Sequence, residues 1–87
     1  MNHMLLAVCD EVSGQWSAPF YARSEAEAIR NFAGTVDNLP DYLRGDASLY
    51  HIGDVFIDTG VYRLTPVEIP RRITTGRCVS APVDDKE

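Results

Sequence analysis

The chain has little of what most small-domain chemistries require. Cys9 and Cys78 are its two cysteines, too few for a disulfide scaffold, so free thiols in a reducing compartment are expected. His3 and His51 are its two histidines, without a cysteine or acid at the short spacings that build zinc sites, and no metal or other cofactor is expected. The six glycines are dispersed as turn and bulge signals, so there is no phosphate-cradling glycine loop. Long apolar runs are missing too: "MLLAV", residues 4–8, is too short for a secretory core and far short of a membrane span. Asp10 and Glu11 are adjacent, but adjacency does not create the facing carboxylate pair of acid-base catalysis. Cys9, ending an apolar strand, reads as a packed small side chain rather than a nucleophile. A non-catalytic protein is the expectation.

Positive charge is scarce, with a net charge of -5 over 87 residues. That argues against coating nucleic acid by bulk attraction. The charge is unevenly spread, however: residues 1–60 carry nine acids and three arginines, whereas residues 61–77 carry four arginines and one acid. The second segment holds Arg63, Arg71, Arg72 and Arg77, and the last ten residues turn acidic again.

The clearest local signal is "SEAEAIRNFA", residues 24–33. Ser24 can cap a helix, and Glu27 stands where its carboxylate can return a bond to the cap residue's N–H. Ala26, Ile29, Phe32 and Ala33 then form an apolar stripe, with Glu25, Ala28 and Asn31 pointing the other way and Glu27 spaced to attract Arg30. Before the helix, "MLLAV" suits a central strand, and Trp16 to Tyr21 suits its hairpin return, made an edge by Pro19. After a loop containing Asn38, Pro40, Gly45 and Asp46, "SLYHIGDVFI" resumes a strand pattern that changes parity near Gly53, which predicts a bulge there. "DTG" turns the chain so that Val55–Ile57 pairs with Val61–Leu64.

The elements read β-β-α-β-β: a small α+β domain over residues 1–70, with a mainly antiparallel sheet and one helix, carrying Ile29 and Phe32, on one face. Residues 71–87 read as a basic then acidic extension, frayed at its end. So small a core gains from pairing, and a homodimer is expected.

Two features suggest a ligand. Trp16, Phe20, Tyr21, Tyr50, Phe56 and Tyr62 spread over the proposed strands, and the four arginines follow them. Aromatics on a sheet beside arginines hold single-stranded nucleic acid by base stacking and phosphate pairing. On that chemistry Arg63, Arg71, Arg72 and Arg77 are the candidate phosphate contacts, and Tyr50 and Tyr62 the candidate stacking surfaces. The same aromatics serve equally well at a protein interface.

The order of these pieces resembles the small nonstructural protein of gokushovirus-type microviruses, the single-stranded DNA phages. The resemblance rests on Val8–Asp10, on Pro19 and Phe20, and on the helix opening Ala28-Ile29-Arg30 with Phe32. It continues in an "LYxxG" signature through Leu49, Tyr50, Gly53, Val55, Phe56, Asp58, Thr59 and Gly60, with Ile57 intervening before Asp58. It covers residues 4–66. It implies a DNA-binding protein that assists single-stranded genome synthesis in the host bacterial cytoplasm, with no catalytic residue assigned. The competing reading is a homodimeric interaction or scaffold-like module acting on a viral or host replication protein.

Overall fold

A computed structural model describes residues 2–79. The chain forms β1 (Asn2–Asp10), β2 (Phe20–Ala22), α1 (Glu25–Asp37), α2 (Asp41–Arg44), β3 (Ala47–Asp58), β4 (Val61–Thr75) and α3 (Gly76–Val79). The fold is a small α+β domain whose four antiparallel strands are ordered β2-β1-β3-β4. Among the described residues three helices are present where one was expected. The additional two are single turns: α2 follows Pro40, and Arg44 closes it by bonding to the Leu39 and Asp37 carbonyls and pairing with Asp41.

The main helix begins where the cap signal lies. Ser24 Oγ accepts from Glu27 N–H at 3.2 Å. Glu27 returns its bond one residue earlier than expected, accepting from Arg23 N–H at 2.7 Å, and it pairs with the Arg23 guanidinium rather than with Arg30. The buried stripe is also displaced. Ala28, Phe32 and Val36 are fully buried while Ala26 is exposed, because the helix runs on through Gly34 to Asp37 and its line of i, i+4 contacts passes through the two large side chains. Ala28 is small enough to let the helix settle on the sheet.

The core fills the space between α1 and one sheet face: Leu6 of β1, Ala22 of β2, Ala47 and Leu49 of β3, beneath Phe32 and Val36. Ile29 and Ile73 pack against its margin.

Both outer strands are edges bearing or following proline. β2 follows Pro19, and the hairpin return is interrupted there: Trp16 makes an isolated bridge to Cys9 before the ladder resumes at Phe20. β4 runs through Pro66 and Pro70 to Thr75, so the expected boundary at residue 70 falls inside a strand. The remainder of the expected extension, from residue 80, lies outside the described residues. Prolines on an outer strand deny N–H groups to any further strand.

The β3–β4 hairpin has the expected register, Val55 opposite Leu64 and Ile57 opposite Tyr62, and turns at Gly60 with φ 72°. The bulge near Gly53 is present: Leu5 faces Gly53 while Leu6 faces His51, leaving Ile52 as the extra residue. On the β4 side, His51 faces Arg71 and Gly53 faces Pro66, so residues 67–70 bow out of the pairing.

Candidate functional site

Side chains of a strand alternate between faces, so the registers sort every paired residue to one side of the sheet. Met4, Leu6 and Val8 face α1. His3, Leu5, Ala7 and Cys9 therefore face the other way, onto a surface that no helix covers.

Cross-strand partners extend this open face. Tyr21 lies opposite Leu5, Tyr50 opposite Ala7, and Arg72 opposite Tyr50; farther along, Leu64 lies opposite Val55 and Tyr62 opposite Ile57. Trp16, bridged to Cys9, continues it at one end and meets the Tyr50 ring edge-on, with centroids 5.1 Å apart. Four aromatic residues that are far apart in sequence, Trp16, Tyr50, Tyr21 and Tyr62, thus lie along one face. From Cys9 to His3 that face extends roughly 20 Å at the rise of a strand.

Tyr21, Tyr62 and Leu64 are about half exposed, at 45%, 57% and 55%, whereas Val55 beneath them is fully buried. Together with Leu5, Pro19 and Phe20 they line a mainly apolar groove of about 300 Å³. That residues of the two outermost strands line one groove means the open face is concave. His3 packs its ring against Tyr21 at 6.3 Å. A second hollow, about 230 Å³, lies beside Trp16, Leu39 and Leu43. Its one carboxylate, Asp10, is already engaged by the N–H groups of Val12 and Ser13.

Among the described residues, no paired position of the open face is acidic. Asp54 and Asp58 share the parity of Met4, and Glu25, Glu27 and Asp37 ride on α1. The acids at paired strand positions and on α1 therefore lie away from the concave surface.

One carboxylate reaches the face from outside it. Glu11, in the turn after β1, has its N–H held by the Asp46 carbonyl at 2.8 Å and its Oε2 bonded by the Tyr50 hydroxyl at 2.7 Å. Arg72 Nη1 stands 3.7 Å from the same oxygen. The Tyr50 and Ser48 hydroxyls and the Arg72 guanidinium hold the Glu11 carboxyl below its usual range, and the bond to Glu11 pushes the Tyr50 phenol up.

The structure brings together three of the residues selected from sequence: Tyr50 and Arg72 as direct partners, and Tyr62 toward the hairpin end. It separates the other three from them. Arg63 lies opposite Phe56 and Arg71 opposite His51, both with the parity of the helix side, and Arg71 pairs with Glu25 at 3.3 Å. Arg77 lies on α3, its guanidinium beside Gly45. Tyr21, Leu5 and Leu64 belong to the groove without having been selected. For Tyr21 the signal was available, since pairing with Leu5 fixes its face once β2 is an edge strand. For Glu11 no spacing pattern points to partners on β3 and β4.

Both cysteines are free thiols, Cys9 buried and Cys78 exposed. Among the described residues, no cluster of three or more His, Cys, Asp or Glu could hold a metal ion, and no helix is long and apolar enough to cross a membrane.

No curated protein and no solved structure matches the chain. A family model does: the one described as Phage ORF5 protein matches residues 3–79, nearly the whole chain, and the chain therefore belongs to that phage-associated family.

Proposed function

We propose that the protein is a non-catalytic single-stranded DNA-binding protein that assists genome replication of a gokushovirus-type microvirus in the cytoplasm of its bacterial host. The observation that carries this reading is the concave sheet face, where aromatic residues line an apolar groove free of acidic strand positions. Bases unstacked from a duplex can lie on such a surface with little sequence preference, each contributing about 1–3 kcal/mol through an aromatic partner. Membership of a phage family supports the setting.

In this reading Tyr62 and Tyr21 take bases in the groove, Tyr50 takes one farther along, and Arg72 meets phosphate. Arg63, Arg71 and Arg77 contribute as the strand leaves the face. One phosphate contact predicts a salt slope of about -0.7 and four a slope of roughly -3. The geometry favours the shallow end, because Arg72 is the arginine on the face itself.

The test is fluorescence anisotropy with a labelled thirty-base oligonucleotide at low and physiological salt, comparing the native chain with Tyr62→Ala and Tyr21→Ala. Each substitution should weaken binding at least fivefold, and a duplex of the same sequence should compete poorly. Absence of binding at low salt, or binding indifferent to both substitutions, refutes the reading.

The same face supports a second reading, a homodimeric interaction or scaffold-like module that docks a viral or host replication protein. Among the described residues the fully buried large apolar side chains are Phe32, Leu6, Leu49, Val36 and Val55, a thin core that a second copy on the open face would thicken. The edge prolines oppose pairing through the strand edges. Sedimentation equilibrium at tens of micromolar discriminates: a dimer dissociated by Leu64→Asp and indifferent to oligonucleotide favours this reading, and a monomer removes it.

A further inference from the structure

We propose that the Tyr50–Arg72 end of the open face is a phosphate subsite, built to take one backbone phosphodiester of a DNA single strand and filled in the free protein by the Glu11 carboxylate. The inference rests on the reading of the face as a single-strand platform and adds to it where a phosphate sits and what it must displace.

The argument starts from convergence. The Tyr50 hydroxyl and the Arg72 guanidinium converge on one oxygen of the Glu11 carboxylate. Both donors stand on strands, as direct cross-strand partners. Their positions are fixed by the sheet, whether or not Glu11 is present.

The anion comes from a less constrained element. Glu11 belongs to a turn whose next residue, Val12, is 77% exposed. Its main chain is anchored to Asp46, so the carboxylate can leave by side-chain rotation alone, without unravelling β1.

A phosphodiester suits the vacated donors. It carries one negative charge on two free oxygens, as a carboxylate does, so the exchange leaves the local charge unchanged. At 3.7 Å from Glu11, and with its side chain 59% exposed, Arg72 retains donors for a second acceptor. Trp16, 49% exposed and edge-on to Tyr50, gives the adjoining base an aromatic neighbour. The concave groove of Leu5, Tyr21 and Tyr62 continues along the same face. Phosphate at one end and bases along the groove is the order in which a single strand would cross it.

Glu11→Gln tests this directly, with Glu68→Gln as a control for removing one charge elsewhere, since Glu68 is exposed in the segment of β4 that bows out of the pairing. Anisotropy titrations of the labelled oligonucleotide over several salt concentrations should show Glu11→Gln binding at least about tenfold tighter than the native chain, the gain of one freed charged contact. Its salt slope should stay near the native value, since Arg72 meets one phosphate in both proteins, and Glu68→Gln should change neither quantity. Adding Arg72→Ala should abolish the gain. If Glu11→Gln fails to fold, Glu11→Asp keeps the charge, withdraws the carboxylate by one methylene, and should likewise tighten binding. Native-like affinity in Glu11→Gln, an equal gain in Glu68→Gln, or a gain that survives Arg72→Ala overturns the subsite while leaving the groove reading in place. Failure of every variant to bind at low salt overturns both.

Discussion

Replacing Gly53 by alanine tests the geometry that gives the open face its shape. Gly53 is buried where β4 passes close over the β3 bulge, and a Cβ there would stand 2.9 Å from the Thr65 carbonyl oxygen and 3.2 Å from Pro66 Cα. Both obstacles are backbone, so no side-chain rotation relieves them, and β4 has to move by a few tenths of an ångström. Overpacking of this kind costs about 1–3 kcal/mol. In a chain this small, each kcal/mol lowers the melting temperature by about 4–8 °C. Gly34→Ala supplies the internal contrast. It lies in α1 with nothing within 4 Å of its added methyl, and alanine in place of a helical glycine should stabilise by about 0.5–1 kcal/mol. Urea melts followed by circular dichroism should therefore move in opposite directions for the two variants. A Gly53→Ala midpoint within about 0.5 kcal/mol of the native chain would refute the close crossing, and with it the placement of Leu64 and Tyr62 over the face.

The remaining predictions concern the cap, the thiols and acid. Ser24→Ala removes the hydroxyl that accepts from Glu27 N–H and should cost about 1 kcal/mol in the same melts. Ellman titration of the folded chain should find Cys78 reacting well before Cys9. Hydrogen bonds from Thr75 hold the exposed Cys78 thiol below its usual range, whereas burial pushes the Cys9 thiol up. Equal rates that match those in denaturant would contradict this. The Asp10, Glu11 and Glu27 carboxyls all lie below their ordinary values, held there chiefly by the Val12 N–H, the Tyr50 hydroxyl and the Arg23 N–H respectively. Groups depressed on folding contribute fully above their unfolded range and lose that contribution as pH falls through the folded values. Stability should thus be flat from neutrality to roughly pH 5 and then fall, and a rise on acidification would reverse the assigned sign.

Local signals made the frame of this protein legible, and the pleat of one strand hid its candidate site. Ser24 and Glu27 mark the start of α1, Pro19 makes β2 an edge, and "DTG" sets the register of Val55–Ile57 against Val61–Leu64; each is a short-range constraint carried by adjacent residues. The stripe reads as Ala26, Ile29, Phe32 and Ala33, but burial follows Ala28, Phe32 and Val36, since the helix continues through Gly34 and Val36 anchors its register. The arginines show the deeper difficulty. Arg71 and Arg72 are neighbours in sequence, so they form a cluster on paper, but in a strand neighbours point to opposite faces: Arg71 meets Glu25 on the helix side while Arg72 meets Glu11 on the open side. The aromatics behave in the opposite way. Trp16, Tyr21, Tyr50 and Tyr62 are scattered along the chain, and antiparallel pairing collects them on one surface. A basic run in a sequence is therefore a poor guide to the binding face of a small sheet, since the pleat divides it. Residues of one parity on successive strands are the better guide, and here they are aromatic.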